Sequence, residues 1–460
     1  MQRTVLDRRR ILKAALLAGG ALAVSPSRPA RALRGRTVVV VGAGVSGLAA
    51  ARALAAQGAK VTVLEARARI GGRLFTDRSL GVPFEVGAGW IHGPSPDNPV
   101  RRLADDVGAR RFVTDDSSLA VFDAAGRTLS DAAVGAIDAR WQRLLKRVDA
   151  TLEDDDRRSL RDAVAAIAPD ALAPDALEDP GLAWALSAYT EFDIGAPLGD
   201  ISATLFDEDD AFDGADVILP DGYDRILPPV ADGLDIRLSS PVDGIALADN
   251  GATVRTGGDA IPADAVVCSV PLGVLKAGGI AFEPALPRGH RESVRALGFG
   301  TVTKIAFEFA KPFWDVGTQY FGVMTAPAGR WNYWLNYRTF SDRNVLLGLS
   351  VGGYAPLADR MADAEMADDA LAVLRQAWGT AVGRPLRTLT THWSTDPHAL
   401  GAYSYPRPGN RAAQFDGLAE PVGGRLFLCG EHTRFDFHGT VHGAWLSGLD
   451  AAGRVADALG

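Results

Sequence analysis

Residues 36–65 constrain the fold of this 460-residue chain more than any other segment. A short apolar run, Val38–Val41, leads directly into glycines spaced as G-x-G-x-x-G, at Gly42, Gly44 and Gly47. An alanine-rich stretch then predicts a helix, and a second β-branched run, Val61–Leu64, ends at Glu65. A strand, a glycine turn, a helix and a strand within about 30 residues are typical of a dinucleotide-binding βαβ unit.

The residues of this unit suit a pyrophosphate and a ribose. Gly42 permits the tight turn, Gly44 lets the backbone approach a phosphate, and Gly47 lets the helix lie close to the strand. The helix N-terminus presents free N–H groups and the positive end of its dipole. Glu65 can accept hydrogen bonds from ribose hydroxyls, and an acid there argues against a 2′-phosphate. An ordinary αβ unit with a chance glycine pattern is the alternative.

Composition and charge are those of a globular protein, with 47% hydrophobic and 23% charged residues. The net charge is −8, although residues 1–32 alone carry +6, so the remainder carries −14. An acidic body disfavours nucleic acid as a partner and suits a cationic ligand. Cys268 and Cys429 both lie in apolar runs and are expected to be buried small hydrophobes, with a disulfide between them left open.

The N-terminus resembles a twin-arginine export signal. Paired arginines precede Ile11, Leu12 and Lys13, and an apolar stretch too short to span a bilayer follows them. Ala30-Arg31-Ala32 fits a cleavage site with small residues. We therefore expect residues 1–32 to be a signal peptide read by the twin-arginine machinery of a bacterium, which predicts a periplasmic or secreted protein without a membrane span. A basic disordered tail is the alternative.

Two further blocks follow the βαβ unit. Gly71-Gly72-Arg73 combines a close-approaching loop with a fixed cation, which suits a second phosphate contact. The second block is Gly89-Trp90-Ile91-His92-Gly93. With the unit at 36–65, these blocks resemble the flavin-dependent amine oxidase family, and the second block is most similar to its polyamine oxidase branch. His92 is equally consistent with a structural histidine.

The resemblance continues to about Leu459. Lys304 lies in an alternating strand-like run, and a family lysine in this setting holds a water against flavin N5; a surface lysine on an edge strand is the alternative. The block around Trp393 and Tyr403 is similar to the segments that stand before the flavin ring. Gly430-Glu431 after a strand and the helix start at Thr440-Val441 resemble the family's second cofactor element.

The site residues that this resemblance implies fall into three groups. Cofactor-binding residues are Gly42, Gly44, Gly47, Glu65, Arg67, Gly72, Arg73, Gly89, Trp90, Val242, Trp393, Gly430, Glu431, Thr440 and Val441. Catalytic residues are Lys304, Trp393 and Tyr403. Substrate-binding residues are His92, Glu191, Glu208, Tyr403 and Thr440. No metal site is expected.

Residues 191–224 carry eleven acids and neither lysine nor arginine. An acidic surface loop is the simple interpretation, but such a field also speeds the encounter with a polycation. The aromatic strand that begins at Trp331 could wall an amine pocket with alternate rings.

Two residues depart from family patterns. Ala402 stands where monoamine oxidases have the cysteine that binds flavin covalently, so the resemblance implies non-covalent FAD. Thr440 stands where a second tyrosine completes an aromatic sandwich in plant polyamine oxidases and animal monoamine oxidases. The pocket near the flavin is therefore expected to be more open, as in the histone lysine demethylase branch.

The fold class predicted is α/β, with a discontinuous, doubly wound FAD-binding domain of the Rossmann type and a substrate domain of mixed sheet plus helices. The FAD domain is assigned to residues 36–93, 226–298 and 395–460. The substrate domain is assigned to residues 94–225, which include a helical insertion, and to residues 299–394.

The predicted activity is oxidation of a primary or secondary amine. By the resemblance, a neutral amine gives a hydride to flavin N5, the imine hydrolyses to an aldehyde, and O2 takes the electrons to give H2O2. A di- or polyamine is the expected substrate. Monoamine oxidase and L-amino acid oxidase activities are alternatives with the same cofactor, and a non-catalytic flavin- or NAD-binding protein is a third.

Overall fold

The computed structural model describes residues 33–172 and 179–460, so the predicted signal peptide lies outside the described residues. The strands are β1 (Thr37–Val41), β2 (Lys60–Leu64), β3 (Thr76–Asp77), β4 (Phe84–Glu85), β5 (Phe112–Val113), β6 (Leu119–Phe122), β7 (Val217–Ile218), β8 (Asp235–Arg237), β9 (Val242–Ala248), β10 (Gly251–Thr256), β11 (Asp259–Ala263), β12 (Ala265–Cys268), β13 (Ala281–Glu283), β14 (Gly298–Phe299), β15 (Thr303–Glu308), β16 (Tyr320–Val323), β17 (Tyr333–Asn336), β18 (Val345–Ser350), β19 (Arg387–Thr390), β20 (Ser404–Tyr405) and β21 (Leu426–Leu428).

The α-helices are α1 (Val45–Ala56), α2 (Pro99–Asp106), α3 (Asp131–Asp149), α4 (Leu160–Ala165), α5 (Pro180–Ala185), α6 (Phe192–Ile194), α7 (Leu227–Ala231), α8 (Leu272–Lys276), α9 (Arg288–Ala296), α10 (Ala355–Ala358), α11 (Asp363–Trp378), α12 (Ala413–Asp416) and α13 (Val441–Leu459). A π-helical turn, Leu186–Glu191, joins α5 to α6. Short 3₁₀ turns occupy 169–172, 223–226, 337–339, 379–381, 417–419 and 431–433.

The βαβ unit lies at the centre of a five-stranded parallel sheet. The strand order is β21-β12-β1-β2-β8, so strands from distant parts of the sequence meet beside β1. Helices α1 and α13 cover one face, where a Cβ on Gly448 would lie 2.1 Å from the Ser46 carbonyl oxygen. The other face packs against a four-stranded sheet ordered β11-β10-β9-β13, rather than against helices.

A second, six-stranded sheet is ordered β19-β15-β18-β17-β16-β6. Its pairs are antiparallel except for β16 with β6, which makes it mixed. Helix α11 covers one face, and helices α3 to α5 with the π-helical turn cover the other. The predicted α/β class, with a dinucleotide-type sheet and a mixed sheet plus helices, is confirmed; the domain boundaries stay predictions.

Two prolines in the helical insertion stand at the first position of an element. Pro180 is the first residue of α5 and Pro169 is the first residue of a 3₁₀ turn. A proline fits there because the N–H that it lacks would have no partner within the helix.

Candidate active site

The turn between β1 and α1 has the geometry that a pyrophosphate requires. Gly42 has φ +99°, and a Cβ on Gly47 would lie 2.0 Å from the Gly42 carbonyl oxygen, so neither position accepts a larger residue without a shift. A Cβ on Gly44 would meet nothing within 4 Å. Helix α1 begins at Val45 without a side-chain cap, which leaves N–H groups facing that open space.

Glu65 lies at the end of β2, beside this turn. Its carboxylate accepts hydrogen bonds from the backbone N–H groups of Ala43 and Arg67, both at 2.8 Å. The Arg67 guanidinium forms a two-pronged ion pair with Asp396 at 2.7 Å, so it ties the cofactor loop to the segment after Trp393. The Ser240 N–H donates to the Glu65 carbonyl, which places the start of β9 at Val242 alongside.

Arg73 and Glu431 meet on the other side of the turn. Gly71 pairs with Gly44, and Gly72 lies so close that its Cβ would be 3.4 Å from the Gly44 Cα. Arg73 Nη1 donates to Glu431 Oε1 at 2.9 Å and to the Ala402 carbonyl oxygen at 2.6 Å. The two glycine blocks and the acid after β21 are therefore neighbours.

The Glu431 carboxylate is a buried anion with several donors. Its Oε2 accepts from Ser404 Oγ at 2.5 Å, from the Ser404 N–H at 3.2 Å and from the Gly439 N–H at 2.9 Å. Burial alone would raise its pKa, but Arg73, His432 and Ser404 outweigh burial and lower the pKa to about 2. Glu431 is therefore ionised throughout the physiological range.

A second helix begins next to this acid. Thr440 caps α13 by accepting a hydrogen bond from the Gly443 N–H at 2.9 Å, and Val441 is the first helical residue. Gly430, which directly precedes Glu431, adopts φ +141°. Both ring nitrogens of His432 are buried without a hydrogen-bond partner among the described residues. A large polar dinucleotide such as FAD fits these features. They are the N-termini of α1 and α13, the open space beside Gly44 and the unpartnered ring nitrogens of His432.

Lys304 is buried on β15 and points toward this site. Residues alternate along the strand, so Ile305 and Phe307 pack against α11 while Lys304 and Ala306 face the opposite side. Its Nζ donates to the Glu85 carbonyl oxygen at 3.0 Å and to the Gly87 carbonyl oxygen at 2.5 Å. Burial lowers its pKa to about 8, with Glu85 opposing that shift. Lys304 is thus a buried cation and not an edge-strand surface residue.

The segment 85–90 is where the predicted site residues converge. Trp393 Nε1 donates to the Val86 carbonyl oxygen at 2.9 Å, and the Trp393 ring lies 3.4 Å from a Cβ built on Gly87. The ring of Trp90 lies 5.7 Å from Lys304 Nζ. A Cβ on Gly89 would be 3.8 Å from the same Nζ, so the ammonium passes directly over this glycine.

Sequence reasoning missed the role of Glu85, which opens this segment. The side chain is 5% exposed, and it accepts hydrogen bonds from the Tyr223 N–H and from Thr76 Oγ1, both at 2.8 Å. Burial raises its pKa to about 7, although these donors and Lys304 act in the opposite sense. The signal in the sequence that could have indicated a buried acid is a glutamate within a short apolar strand, two residues before Gly87.

Tyr403 lies across from this segment. Its hydroxyl donates to the Phe192 carbonyl oxygen at 2.7 Å, and its ring covers Gly195. Burial raises the pKa of Tyr403 well above its ordinary value, and Asp193 adds to that shift. Tyr403 therefore joins α6 to the cofactor side through Ala402, whose carbonyl receives Arg73.

Aromatic rings line the face of the six-stranded sheet that helices α3 to α5 and the π-helical turn cover. Trp90 meets Phe192 edge to face at 6.2 Å, Phe192 lies 6.2 Å from Tyr333, and Tyr333 stacks on Tyr320 at 5.2 Å. The rings of β17 alternate, because Trp334 faces α11 while Tyr333 faces this side. The structure therefore brings one ring of the predicted aromatic strand to the site and places its neighbour in the core.

The acids of residues 191–224 do not form one open field. Asp221 pairs with Arg110 and Arg225, and Asp224 pairs with Arg78. These arginines include residues distant in sequence, so the local count of eleven acids and no bases overstates the free charge.

Glu191 and Glu208 were both predicted to bind substrate. Glu191 is 9% exposed and accepts the Leu198 N–H at 2.9 Å, with its Oε2 against Gly352. Burial raises its pKa to about 7. Glu208 is half-buried, and its N–H bonds the Leu205 carbonyl. The substrate roles of Glu191 and Glu208 stay predictions, and Asp193, two residues after Glu191, raises the pKa of both His92 and Tyr403.

His92 lies at the outer end of the same region. Its ring is 53% exposed, and Nδ1 lies 2.7 Å from Asp216 Oδ2. Burial would lower the pKa of His92, but Asp216, with Asp193 and Asp116, raises it above its ordinary value. His92 is therefore brought to the site together with three carboxylates that its own sequence block does not contain.

The cysteines, the metal-ligating side chains and the apolar helices of the described residues also bear on the predictions. Cys268 and Cys429 are free thiols that belong to cores on opposite faces of the parallel sheet. Residues 33–172 and 179–460 contain no group of three or more metal-ligating side chains arranged for an ion. Within the same ranges, no helix is both long and apolar enough to cross a bilayer.

Known proteins resemble this chain over most of its length. The model of flavin containing amine oxidoreductases matches residues 45–456. Polyamine oxidase 4 of Oryza sativa subsp. japonica is 34% identical over 430 residues, which cover 90% of this chain and 88% of that protein. Lysine-specific histone demethylase 1 homolog 2 of Arabidopsis thaliana is 32% identical, covering 91% of this chain and 58% of that protein. Wild-type putrescine oxidase bound to putrescine has a TM-score of 0.72 at 23% identity, covering 91% and 98% of the two chains, which is a likeness of fold.

Proposed function

The chain belongs to the flavin-containing amine oxidoreductase family, and from this premise we propose that it is an oxidase of di- or polyamines. Its cofactor is FAD. The proposed acceptor is O2, reduced to H2O2. Because Ala402 offers no thiol, FAD is held non-covalently, and acid precipitation of the protein leaves the flavin in solution.

The observation that carries the substrate proposal is the negative charge beside His92, where Asp216 Oδ2 lies 2.7 Å from the Nδ1 atom of the ring. Tyr403 and His92 lie at different places, yet both are influenced by Asp193, and His92 is also influenced by Asp116 and Asp216. These carboxylates would attract the second ammonium of a di- or polyamine, a group that a simple monoamine lacks. Rings such as Trp90 and Tyr333 favour a cationic or alkyl chain between the two ends.

Relatives that match over most of their own length are polyamine oxidases, which supports a small amine as the substrate. Polyamine oxidases from two plants are aligned over 86–88% of their length. Demethylase homologues at 32–34% identity are covered over only 30–58%.

The alternatives fit the site less well. An L-amino acid needs an arginine that is free to hold its carboxylate. At the cofactor loop, Arg67 pairs with Asp396 and Arg73 pairs with Glu431, while Arg69 donates to the backbone carbonyls of Ile70 and Gly72. A protein that only binds flavin would not need the costly burial of the Lys304 ammonium.

The residues of this chain orient the reactants and supply a charged group beside them. Bound FAD supplies the oxidising chemistry for the C–N bond. Lys304 supplies a buried cation beside segment 85–90, where it can hold a water and stabilise negative charge as oxygen is reduced. Trp393 is fixed by Val86 and Tyr403 by Phe192, so both rings can align an amine without rearrangement.

A substrate panel tests this proposal. H2O2 release is measured with putrescine, spermidine, spermine, tyramine and L-phenylalanine, and we expect the di- and polyamines to be turned over best. The preference for di- and polyamines should weaken as salt is added. Screening by ions limits the distance over which exposed charges attract to about 8–10 Å near physiological ionic strength. Tyramine or phenylalanine as the better substrate would contradict the proposal.

We also propose that residues 1–32 direct export through the twin-arginine route, on the basis of Arg8, Arg9 and the apolar stretch that follows them. A reporter fused to residues 1–35 should leave the cytoplasm of a bacterium. Changing Arg8 and Arg9 to lysine together should retain it. Export that persists after this double change would show that another route is used.

A further inference from the structure

Asp216 holds His92 in a defined orientation by contacts on two sides. The bridge between Ile91 and Val217 places the next residues outward on each strand, His92 and Asp216, side by side. The Asp216 Oδ1 accepts the Gly93 N–H at 3.2 Å, while Oδ2 faces His92 Nδ1 at 2.7 Å. Thr114 fixes the Asp216 carbonyl through its N–H at 2.8 Å and its Oγ1 at 3.0 Å.

This arrangement determines which ring nitrogen of a neutral His92 carries the proton. A carboxylate accepts but does not donate, so Nδ1 must be the N–H that faces Asp216. The lone pair is then on Nε2, which has no hydrogen-bond partner in residues 33–172 and 179–460. Nε2 is therefore a directed acceptor on a half-exposed ring, at the end of the site where Asp193 and Asp116 lie.

We propose that Asp216 is a positioning residue that fixes His92 as a hydrogen-bond acceptor for the distal ammonium of a di- or polyamine. This inference rests on the proposed function, since it assigns one end of that substrate. The ammonium donates an N–H to Nε2, and the carboxylates nearby balance its charge. A monoamine has no group to place there, so the contact contributes to selection by length and charge.

The groups around His92 determine the expected pH dependence. Asp216 precedes β7, Asp193 lies in α6, Asp116 lies between β5 and β6, and all three favour the protonated ring. His442 on α13 also faces the pair, with its Nε2 buried and unpartnered in the described residues. Burial lowers the pKa of His442 to about 3, so it remains neutral while His92 titrates. Protonated His92 cannot accept, so the diamine advantage should appear as pH rises through the pKa of His92.

The test compares Asp216→Asn with Asp221→Asn, which removes one charge from the same acidic stretch but pairs with Arg110. For Asp216→Asn we expect KM for putrescine or spermidine to rise about ten-fold with kcat changed less than two-fold. KM for a monoamine should not change. The pH at which the diamine-to-monoamine ratio of kcat/KM rises should move lower, because the carboxylate no longer favours the imidazolium. Asp221→Asn should show none of these effects.

A readout that needs no turnover separates this inference from the proposed function. Nitrogen-15 NMR of the seven histidines in the FAD-bound enzyme, with His92 assigned by loss of its signal in His92→Gln, reports the tautomer. We expect Nδ1–H in the parent and a mixture of tautomers in Asp216→Asn. Equal spectra and equal KM values in the two Asp variants would overturn the inference while leaving polyamine oxidation intact. An Nδ1–H tautomer without oxidation of any diamine would instead reject the proposed function.

Discussion

Glu431 shows how one side chain can join distant segments at the cofactor site. Its carboxylate receives Arg73 from the early glycine block, Ser404 from β20 and Gly439 from the loop before α13. A buried anion is tolerated only when several donors surround it, and removing one partner of such a set costs about 3–5 kcal/mol. The cofactor-binding role that the resemblance implies for Glu431 is thus accompanied by a structural role.

Lys304 is the residue whose charge can be tested separately from the fold. Lys304→Met keeps the length of the side chain and removes the ammonium. We expect FAD to remain bound, reduction by amine to slow modestly, and the oxygen half-reaction to slow about 10- to 1,000-fold, or about 1.4–4 kcal/mol. Stopped-flow mixing of reduced enzyme with oxygenated buffer measures this step.

Lys276 provides a control for the Lys304→Met variant, and the lowered pKa of Lys304 predicts how the oxygen step depends on pH. Lys276 also has a pKa lowered to about 8 and donates to a backbone carbonyl, that of Arg295, but it lies away from segment 85–90, so Lys276→Met should react with oxygen like the parent. Because the pKa of Lys304 is lowered to about 8, the parent's oxygen step should slow as pH rises through 8. A Lys304→Met enzyme with the parent's rate and pH profile would remove Lys304 from the mechanism.

At the scale of elements, the π-helical turn Leu186–Glu191 positions one side of the site. It carries Glu191 into the interior and passes directly into α6, which presents Phe192 and Asp193. A π-turn shifts the residues that follow it relative to an α-helix. The sequence pattern does not reveal the extra residue of this turn, so it does not predict which acids near the turn point into the interior.

Glu191 makes this turn sensitive to pH. Its folded pKa is raised from 4.5 to about 7, so the folded state binds more protons than the unfolded state between these values. Stability from this group is therefore present below pH 4.5 and decreases as pH rises to 7. Glu191→Gln should be more stable than the parent at pH 8, by up to about 3 kcal/mol, and nearly equal near pH 4.5.

Denaturant unfolding at the two pH values measures this difference. Glu153→Gln, which changes an exposed acid, is the matched control and should leave stability unchanged at both values. A Glu191→Gln variant that is less stable at pH 8 would show that the ionised carboxylate is needed by Leu198 and is not a cost.

At the scale of the whole molecule, segment 85–90 lies between the two large sheets. Lys304 reaches this segment from the six-stranded sheet. On the cofactor side, the Ala88 N–H donates a hydrogen bond to the carbonyl oxygen of Arg73. The family, the α/β fold and FAD, all predicted from sequence, are confirmed. Local patterns sufficed for these because Gly42, Gly47 and Glu65 act within one βαβ unit.

What sequence could not predict depends on contacts between remote segments. Asp216 meets His92 only because Val217 pairs with Ile91, and Arg78 neutralises Asp224 across 146 positions. Glu85 becomes a buried acid only when Tyr223 and Thr76 close around it. No periodicity within one segment contains this information, since it belongs to the tertiary arrangement.

The most direct test of the central claim is to mix the purified FAD-bound enzyme with spermidine in the absence of oxygen. The visible absorption of the flavin should be lost after mixing with spermidine, because the flavin is reduced. The absorption should return when O2 is admitted, and H2O2 should form in proportion to the flavin. Tyramine at the same concentration should bleach it more slowly. An absorption band that spermidine leaves unchanged, in enzyme that retains its FAD, would contradict oxidation of polyamines by this protein.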